Sequence, residues 1–213
     1  PAQTRDYVAA SGIAVLQPLG LALLGRGEFA SARRHLQEGL ELAETLGTPR
    51  EVAGALNALA QTARAEGDLA TAEPLYTRVL TIARATGDID IVAVSLLNLA
   101  MVATFRKAHT PARAMLVEVL QIVDESGLRP AAQGLLEVAA GLAASGDEWE
   151  QSIRLFGAAE AQTAATGLAR DPADEAFLAP LIATARQKLG TDAFTATAAA
   201  GRATSSASTP GSP

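Results

Sequence analysis

Histidine is the side chain best suited to proton transfer near neutral pH and to metal ligation, and this chain has two, His35 and His109. The helical metal-binding spacings His-x-x-x-His and His-Glu-x-x-His do not occur around either of them. The chain also has no cysteine, so thiolate ligands and a thiol nucleophile are absent. We therefore interpret both histidines as structural or surface residues, and we expect no catalytic residue, no metal site and no enzymatic activity.

A glycine-rich segment, Gly25-Arg26-Gly27, could in principle cradle a phosphate group. Phosphate loops follow a strand and continue into Lys-Ser or Lys-Thr, whereas Glu28 and Phe29 follow here. The segment is more typical of a tight turn between two helices, and we expect no cofactor.

Three carboxylates, Asp171, Asp174 and Glu175, cluster just around Pro172. Such a cluster could hold a cation, but carboxylates at a helix start also stabilise the positive end of the helix dipole. We favour the second interpretation, with Asp171 as the N-cap and Pro172 as the first helical residue.

Charge and composition exclude several classes of partner. The formal net charge is −6, and no basic run is present that could neutralise phosphates. No apolar stretch has the length of a membrane span, and no signal peptide is apparent. The absence of cysteine fits a reducing compartment. We expect a cytoplasmic protein that contacts neither nucleic acid nor membrane directly.

The elements that must position any functional residue recur with a period of 40 residues. Four copies follow one another without a change of register, which indicates a repeat architecture. The aligned columns are Leu16, Leu56, Leu96 and Leu136; Gly20, Ala60, Ala100 and Ala140; Ala32, Ala72, Ala112 and Ser152; Leu36, Tyr76, Leu116 and Phe156; and Gly47, Gly87, Gly127 and Gly167.

Each column has a physical role in a pair of helices. The leucine and the small residue four positions later form one apolar stripe, and the small residue lets a second helix cross closely. The glycine that closes each copy is typical of a left-handed helix C-cap. The predicted helices cover residues 10–25, 29–46, 49–66, 69–86, 89–106, 110–126, 130–145 and 149–166, followed by 172–188 and 191–202.

This arrangement resembles the tetratricopeptide repeat, most clearly in the second copy, with Leu56, Ala60, Gly67-Asp68-Leu69, Ala72 and Tyr76. The family period is about 34 residues, so a period of 40 predicts longer helices. The resemblance implies an all-α fold, a right-handed α-solenoid of helix hairpins with a C-terminal helical cap.

The expected organisation has four segments. Residues 1–12 would end a preceding helix or repeat, and residues 13–170 would form the four repeats. Residues 171–203 would be capping helices, and the Ser, Thr and Pro-rich residues 204–213 a disordered tail.

The C-terminal part, from Arg154-Leu155-Phe156-Gly157-Ala158-Ala159-Glu160-Ala161 to Gly201-Arg202-Ala203, resembles the end of large bacterial signal-transducing regulatory ATPases of the STAND type. The resemblance implies that an ATPase domain and an output domain lie upstream of Pro1. Family members usually continue with another short acidic helix, whereas this chain continues with Ser, Thr and Pro.

Tetratricopeptide arrays bind partners on a concave face lined by the first helix of each pair, and the resemblance places an amide-rich groove with an apolar middle there. We expect its side chains to be exposed, with ordinary solvated helix faces as the alternative. The candidate groove residues are Gln17, Asn57, Gln61, Arg64, Leu97, Asn98, Met101, Phe105 and Glu137.

Two functions fit these features. The first is a sensor and interaction module of a regulatory ATPase, which would contact its own upstream domains and a small-molecule inducer. The second is a free-standing scaffold that binds a partner protein or peptide. Asn57 and Asn98 lack the accompanying lysine of the clamp that binds chaperone C-termini, so a co-chaperone role is disfavoured.

Overall fold

The fold is all-α, as predicted. A computed structural model of the chain describes the backbone of residues 2–207 and the side chains of residues 12–204, and within that range it contains ten α-helices and no strand. The helices are α1 (Ala2–Gly25), α2 (Phe29–Leu46), α3 (Pro49–Ala65), α4 (Leu69–Thr86), α5 (Ile89–Phe105), α6 (His109–Ser126), α7 (Arg129–Ser145), α8 (Trp149–Thr166), α9 (Pro172–Leu189) and α10 (Thr191–Ala207).

The helix boundaries repeat with the period of the sequence. The second helices of the four pairs begin at Phe29, Leu69, His109 and Trp149, which are 40 residues apart. The chain divides into two compact units, Pro1–Ser95 and Leu96–Pro213, with the division inside α5. In the first unit α1 packs on α2, α2 on α3 and α3 on α4, as expected for helix hairpins of the tetratricopeptide type. In the second unit α6 packs on α7 and α7 on α8 in the same way.

Glycine ends the second helix of every pair in the left-handed conformation. The φ angles of these C-cap glycines lie between 66° and 71°, which confirms the predicted caps. The turns inside the pairs also need a left-handed residue, and Gly27 and Gly67 supply it in the first two copies. Lys107 and Asp147 take this conformation in the third and fourth copies, where a side chain makes it less favourable.

The core of the first unit lies where α2, α3 and α4 meet. Leu36, Leu56 and Val79 are at most 1% exposed there, and Leu40 and Leu59 pack beside them. Each buried leucine contributes about 1.5–3 kcal/mol relative to an exposed one. The small residues of the repeat are also fully buried, which is why the helices of a pair can approach closely.

The ends of the described chain differ from the expected boundaries. Helix α1 begins at Ala2 rather than residue 10, so the expected segment 1–12 and the first helix are continuous. Helix α10 continues to Ala207 and therefore includes residues 204–207 of the expected tail. Residues 208–213 lie outside the described residues.

The C-terminal cap is held by a close crossing of α8 and α10. A Cβ atom on Gly157 would overlap the carbonyl oxygen of Ala198, and one on Gly201 would overlap that of Arg154. The crossing therefore gives both glycines a structural role.

Replacing Gly157 with Ala should destabilise the chain by roughly 1–3 kcal/mol, because the added methyl group forces two helix backbones apart. Gly39→Ala is the matched control, since Gly39 is also buried in a helix but a Cβ there would lie 3.6 Å from the Cβ of Leu16, an ordinary contact. The control should gain about 0.5–1 kcal/mol from helix propensity. Urea unfolding followed by circular dichroism measures both, and equal midpoints for the two variants would contradict the crossing.

Ser152 stands where the other three copies have alanine, and its hydroxyl is fully buried without a hydrogen-bond partner in the described part of the chain. Ser152→Ala should therefore stabilise the protein by about 1 kcal/mol, because the variant no longer desolvates an unpaired hydroxyl. Thermal melts check this. An unchanged or lowered melting temperature would mean that the hydroxyl is hydrogen bonded after all.

Candidate functional site

All nine candidate groove residues lie on the first helices of the pairs, where the repeat predicts them. Their exposure differs from the expectation. Gln17, Asn57 and Gln61 are half-buried and Phe105 is 43% exposed. The expectation of exposure is wrong for the other five, which are at most 7% exposed: Arg64, Leu97, Asn98, Met101 and Glu137.

In the first unit, adjacent first helices present a polar face. The side-chain amide of Gln17 on α1 lies against Gly54 of α3, where a Cβ would be 2.9 Å from Nε2. Glycine at this position therefore leaves room for the amide between the two helices. Asn57 and Gln61 follow on α3 one turn apart, so they share one side of that helix. We call Gln17, Asn57 and Gln61 the amide face.

Arg64 is buried at the end of the same helix and has a structural role. Its Nε donates a hydrogen bond to the hydroxyl oxygen of Tyr76 on α4, with an N–O distance of 3.2 Å, and Tyr76 is itself fully buried. This bond joins the two helices of the second pair and keeps the guanidinium group inside. The Tyr76 column was predicted as packing residues, but its hydroxyl group as a partner of Arg64 was not predicted.

In the second unit, α9 packs over the side of α7 that is equivalent by the repeat to the amide face. A Cβ on Gly141 would lie 2.5 Å from Cζ of Phe177, so this glycine makes room for the phenyl ring. The ring of Phe177 also packs edge to face against Phe105, with the centroids 5.3 Å apart. The first-helix face of α7 is therefore occupied by the chain itself.

Glu137 forms a largely buried ion pair with Arg170, which follows α8. Nε of Arg170 is 3.0 Å from Oε1 of Glu137, close enough for an ion pair although the angle does not suit a hydrogen bond. Two further carboxylates, those of Glu160 and Glu175, bond the other guanidinium nitrogens of Arg170. Gln133 donates to Oε1 of Glu137 over 3.2 Å.

The environment shifts the pKa values of both partners. Burial raises the pKa of Glu137, and it outweighs the attraction of Arg170 and the hydrogen bond from Gln133, which lower it. Burial opposes the charge of Arg170, yet its contacts with Glu175, Glu137 and Glu160 raise its pKa further above the usual range. The arrangement is a structural charge cluster at the junction of α7, α8 and α9.

Sequence reasoning missed Arg170 and Gln133. Neither residue stands at one of the aligned positions that recur every 40 residues, and Arg170 lies after the glycine that closes the fourth copy. The signal for Arg170 was its place between the closing Gly167 and the helix start at Asp171, where a loop can fold back on the array. Asp171 itself caps α9 as predicted, accepting a hydrogen bond from the backbone N–H of Ala173.

His109 and His35 do not form a site together. His109 begins α6, and its Nε2 lies 3.0 Å from the hydroxyl oxygen of Ser145 on α7. His35 is half-buried on α2. Among the described residues, no group of three or more His, Cys, Asp or Glu side chains could hold a metal ion.

The fold and these faces define a helical-repeat protein. Residues 51–125, which extend from α3 to the end of α6, match the family model described as Tetratricopeptide repeat. Tetratricopeptide repeats indicate a protein-interaction module and imply a protein or peptide partner. No curated protein is similar enough to the chain to be matched with it. No helix in the described part of the chain combines the length and apolarity needed to cross a membrane.

Replacing Arg170 with Met should destabilise the protein by roughly 2–4 kcal/mol at neutral pH, because a buried carboxylate is left without its partner. Because the pKa of Glu137 is raised, its carboxylate binds a proton at a higher pH than an ordinary glutamate does. As the pH falls through this raised folded-state pKa, toward the lower pKa that Glu137 has in the unfolded chain, the carboxylate becomes neutral. The destabilisation caused by Arg170→Met should therefore become smaller over this pH range.

Urea unfolding at several pH values measures this effect. Arg129→Met, a change of the same type at an exposed position of α7, is the control and should stay close to the wild-type stability. A loss that does not depend on pH, or one that is the same in a Glu137→Gln background, would show that Arg170 does not stabilise the protein through Glu137.

Proposed function

We propose that this chain is a non-catalytic interaction module whose first unit binds a peptide along the amide face. The observation that supports it most is the contrast between the units. The groove positions Gln17, Asn57 and Gln61 are only half-buried in the first unit, whereas Glu137 and Gly141 are covered by the C-terminal part of the second.

The chemistry of the amide face suits a peptide backbone. A carboxamide group has one acceptor oxygen and two donor hydrogens, and these are the groups that pair with the N–H and C=O of an extended chain. Leu21, one turn after Gln17 on α1, is 37% exposed and adds an apolar contact for a side chain of the ligand. Amide groups beside apolar surface give orientation together with affinity.

The biological setting that we propose is a sensor region of a bacterial signal-transducing ATPase in the cytoplasm. The resemblance of residues 154–161, 185–194 and 201–203 to such regulators supports it, although the packing of Gly157 and Gly201 accounts for part of that pattern. In this setting the partner is an upstream domain of the same polypeptide, and a small-molecule inducer is a second ligand. A free-standing scaffold for a partner peptide is the alternative. A coding sequence upstream of Pro1 that contains GxxxxGK[ST] would favour the ATPase, and its absence would favour the scaffold.

A peptide selected by phage display against the purified chain provides a probe for the amide face. Asn57→Ala with Gln61→Ala should weaken binding of that peptide by about 1–3 kcal/mol, because peptide groups lose their partners at the contact. Isothermal titration calorimetry measures the change, and circular dichroism checks that the fold is kept.

The matched control is Gln37→Ala with Gln121→Ala, which removes two exposed carboxamides outside the amide face. This variant should bind like the wild type. Equal affinities of the two double variants would place the peptide elsewhere and contradict the proposal.

A further inference from the structure

The second unit contains an open cavity of about 350 Å³ between α6, α7 and α8. Helices α6 and α8 form its walls, and α7 forms its floor. Its surface is mainly aliphatic, and the principal apolar residues are Leu116, Val117, Leu120, Leu135, Leu136 and Leu155. Val117 and Leu120 at the edge are 50% and 54% exposed, which is costly for apolar side chains without a contact.

The equivalent junction in the first unit is closed. A shift of two periods, 80 residues, relates Leu120 to Leu40, which is only 6% exposed, and relates the half-buried Leu136 to Leu56, which is fully buried. Leu40 and Leu56 belong to the core cluster where α2, α3 and α4 meet. The opening at the α6, α7 and α8 junction is therefore not shared by its equivalent in the first unit.

Two differences in sequence explain why the second junction is open. The first is a loss of volume, because Ala139 replaces the buried leucine found at Leu59. The second is a loss of a charged contact. Arg33 on α2 pairs with Glu66 after α3 in the first unit, whereas Gly146 occupies the position equivalent to Glu66. Arg113 approaches Glu148 instead, at 3.9 Å, and both side chains are more than half exposed.

The polar groups of the cavity gather at one end. The guanidinium of Arg113 and the amide of Gln151 supply hydrogen-bond donors there, and Glu148 is the carboxylate at this end. His109 is engaged within the protein, because its Nε2 lies 3.0 Å from the hydroxyl oxygen of Ser145. An exposed ion pair at 3.9 Å contributes little, so Arg113 can take a second acceptor.

We propose that this cavity binds a small amphiphilic molecule, an aliphatic chain or ring that carries one carboxylate. The volume lies in the range of small-molecule sites, the aliphatic walls suit a hydrocarbon, and the donors at one end suit a carboxylate group. The cavity lies in the second unit and shares no residue with the amide face of the first unit. The ligand proposed for the cavity and the peptide proposed for the amide face are therefore independent of each other.

Octanoate is a suitable probe, with 1-octanol and octylamine as analogues that have a neutral or a cationic end. Calorimetry with the full chain should show saturable binding of one octanoate per chain, weaker binding of octanol and the weakest binding of octylamine. Ala139→Leu restores the residue of the closed junction and should weaken octanoate binding by about tenfold or more, because the space is filled. Arg113→Met should weaken octanoate by about threefold and leave octanol unchanged.

Ala183→Leu, an equivalent change at an exposed position of α9, should bind octanoate like the wild type. Gly146→Glu is a second test if Ala139→Leu fails to fold, because Gly146 is exposed and a glutamate there can pair with Arg113 and close the cavity. Octanoate binding that survives both cavity variants, or no binding of any probe, would overturn the site. Preferential binding of octylamine would overturn the assignment of a carboxylate ligand.

Discussion

The close crossing of two helices at a small residue is the contact on which the rest of this structure depends. Ala32, Ala60, Ala72 and Ala100 are completely buried because no larger side chain separates the backbones there. Once the crossing is fixed, the large residue at Leu36 or Tyr76 can fill the space between neighbouring pairs, and the pairs can stack. The period of 40 residues is maintained because each pair offers the next one the same surface.

The sequence was informative wherever structure depends on local pattern. The helix pairs and C-cap glycines follow from the spacing of apolar residues and from the backbone requirement at positions such as Gly47. The exposure of the groove was less predictable, because it depends on which distant residues fold over each helix. Asn98 and Met101 have groove positions by their register, yet they are nearly inaccessible. Nothing in the periodic columns indicated that Phe177 would lie over Gly141.

The C-terminal cap combines stability with a restriction on where a partner can bind. Phe177 buries an aromatic ring on α7, and Arg170 joins carboxylates from α7, α8 and α9. This closure places Glu137 in surroundings that disfavour its charge, which is a cost that the nearby guanidinium only partly offsets. The same residues that end the array therefore remove one first helix from the surface available to a ligand.

A repeat architecture also explains how one junction can differ from its equivalent without loss of the fold. Each pair contacts only its neighbours, so a smaller residue at Ala139 costs stability at the α6, α7 and α8 junction alone. In a single compact core, side chains from many elements surround such a cavity, and they tend to move into it and reduce its volume. Here the helix positions are also fixed by crossings on other faces, such as Gly157 against α10, so the walls stay apart and the space persists. Ligand-sized cavities are therefore expected in repeats where a packing position has become small while the crossings on both sides remain tight.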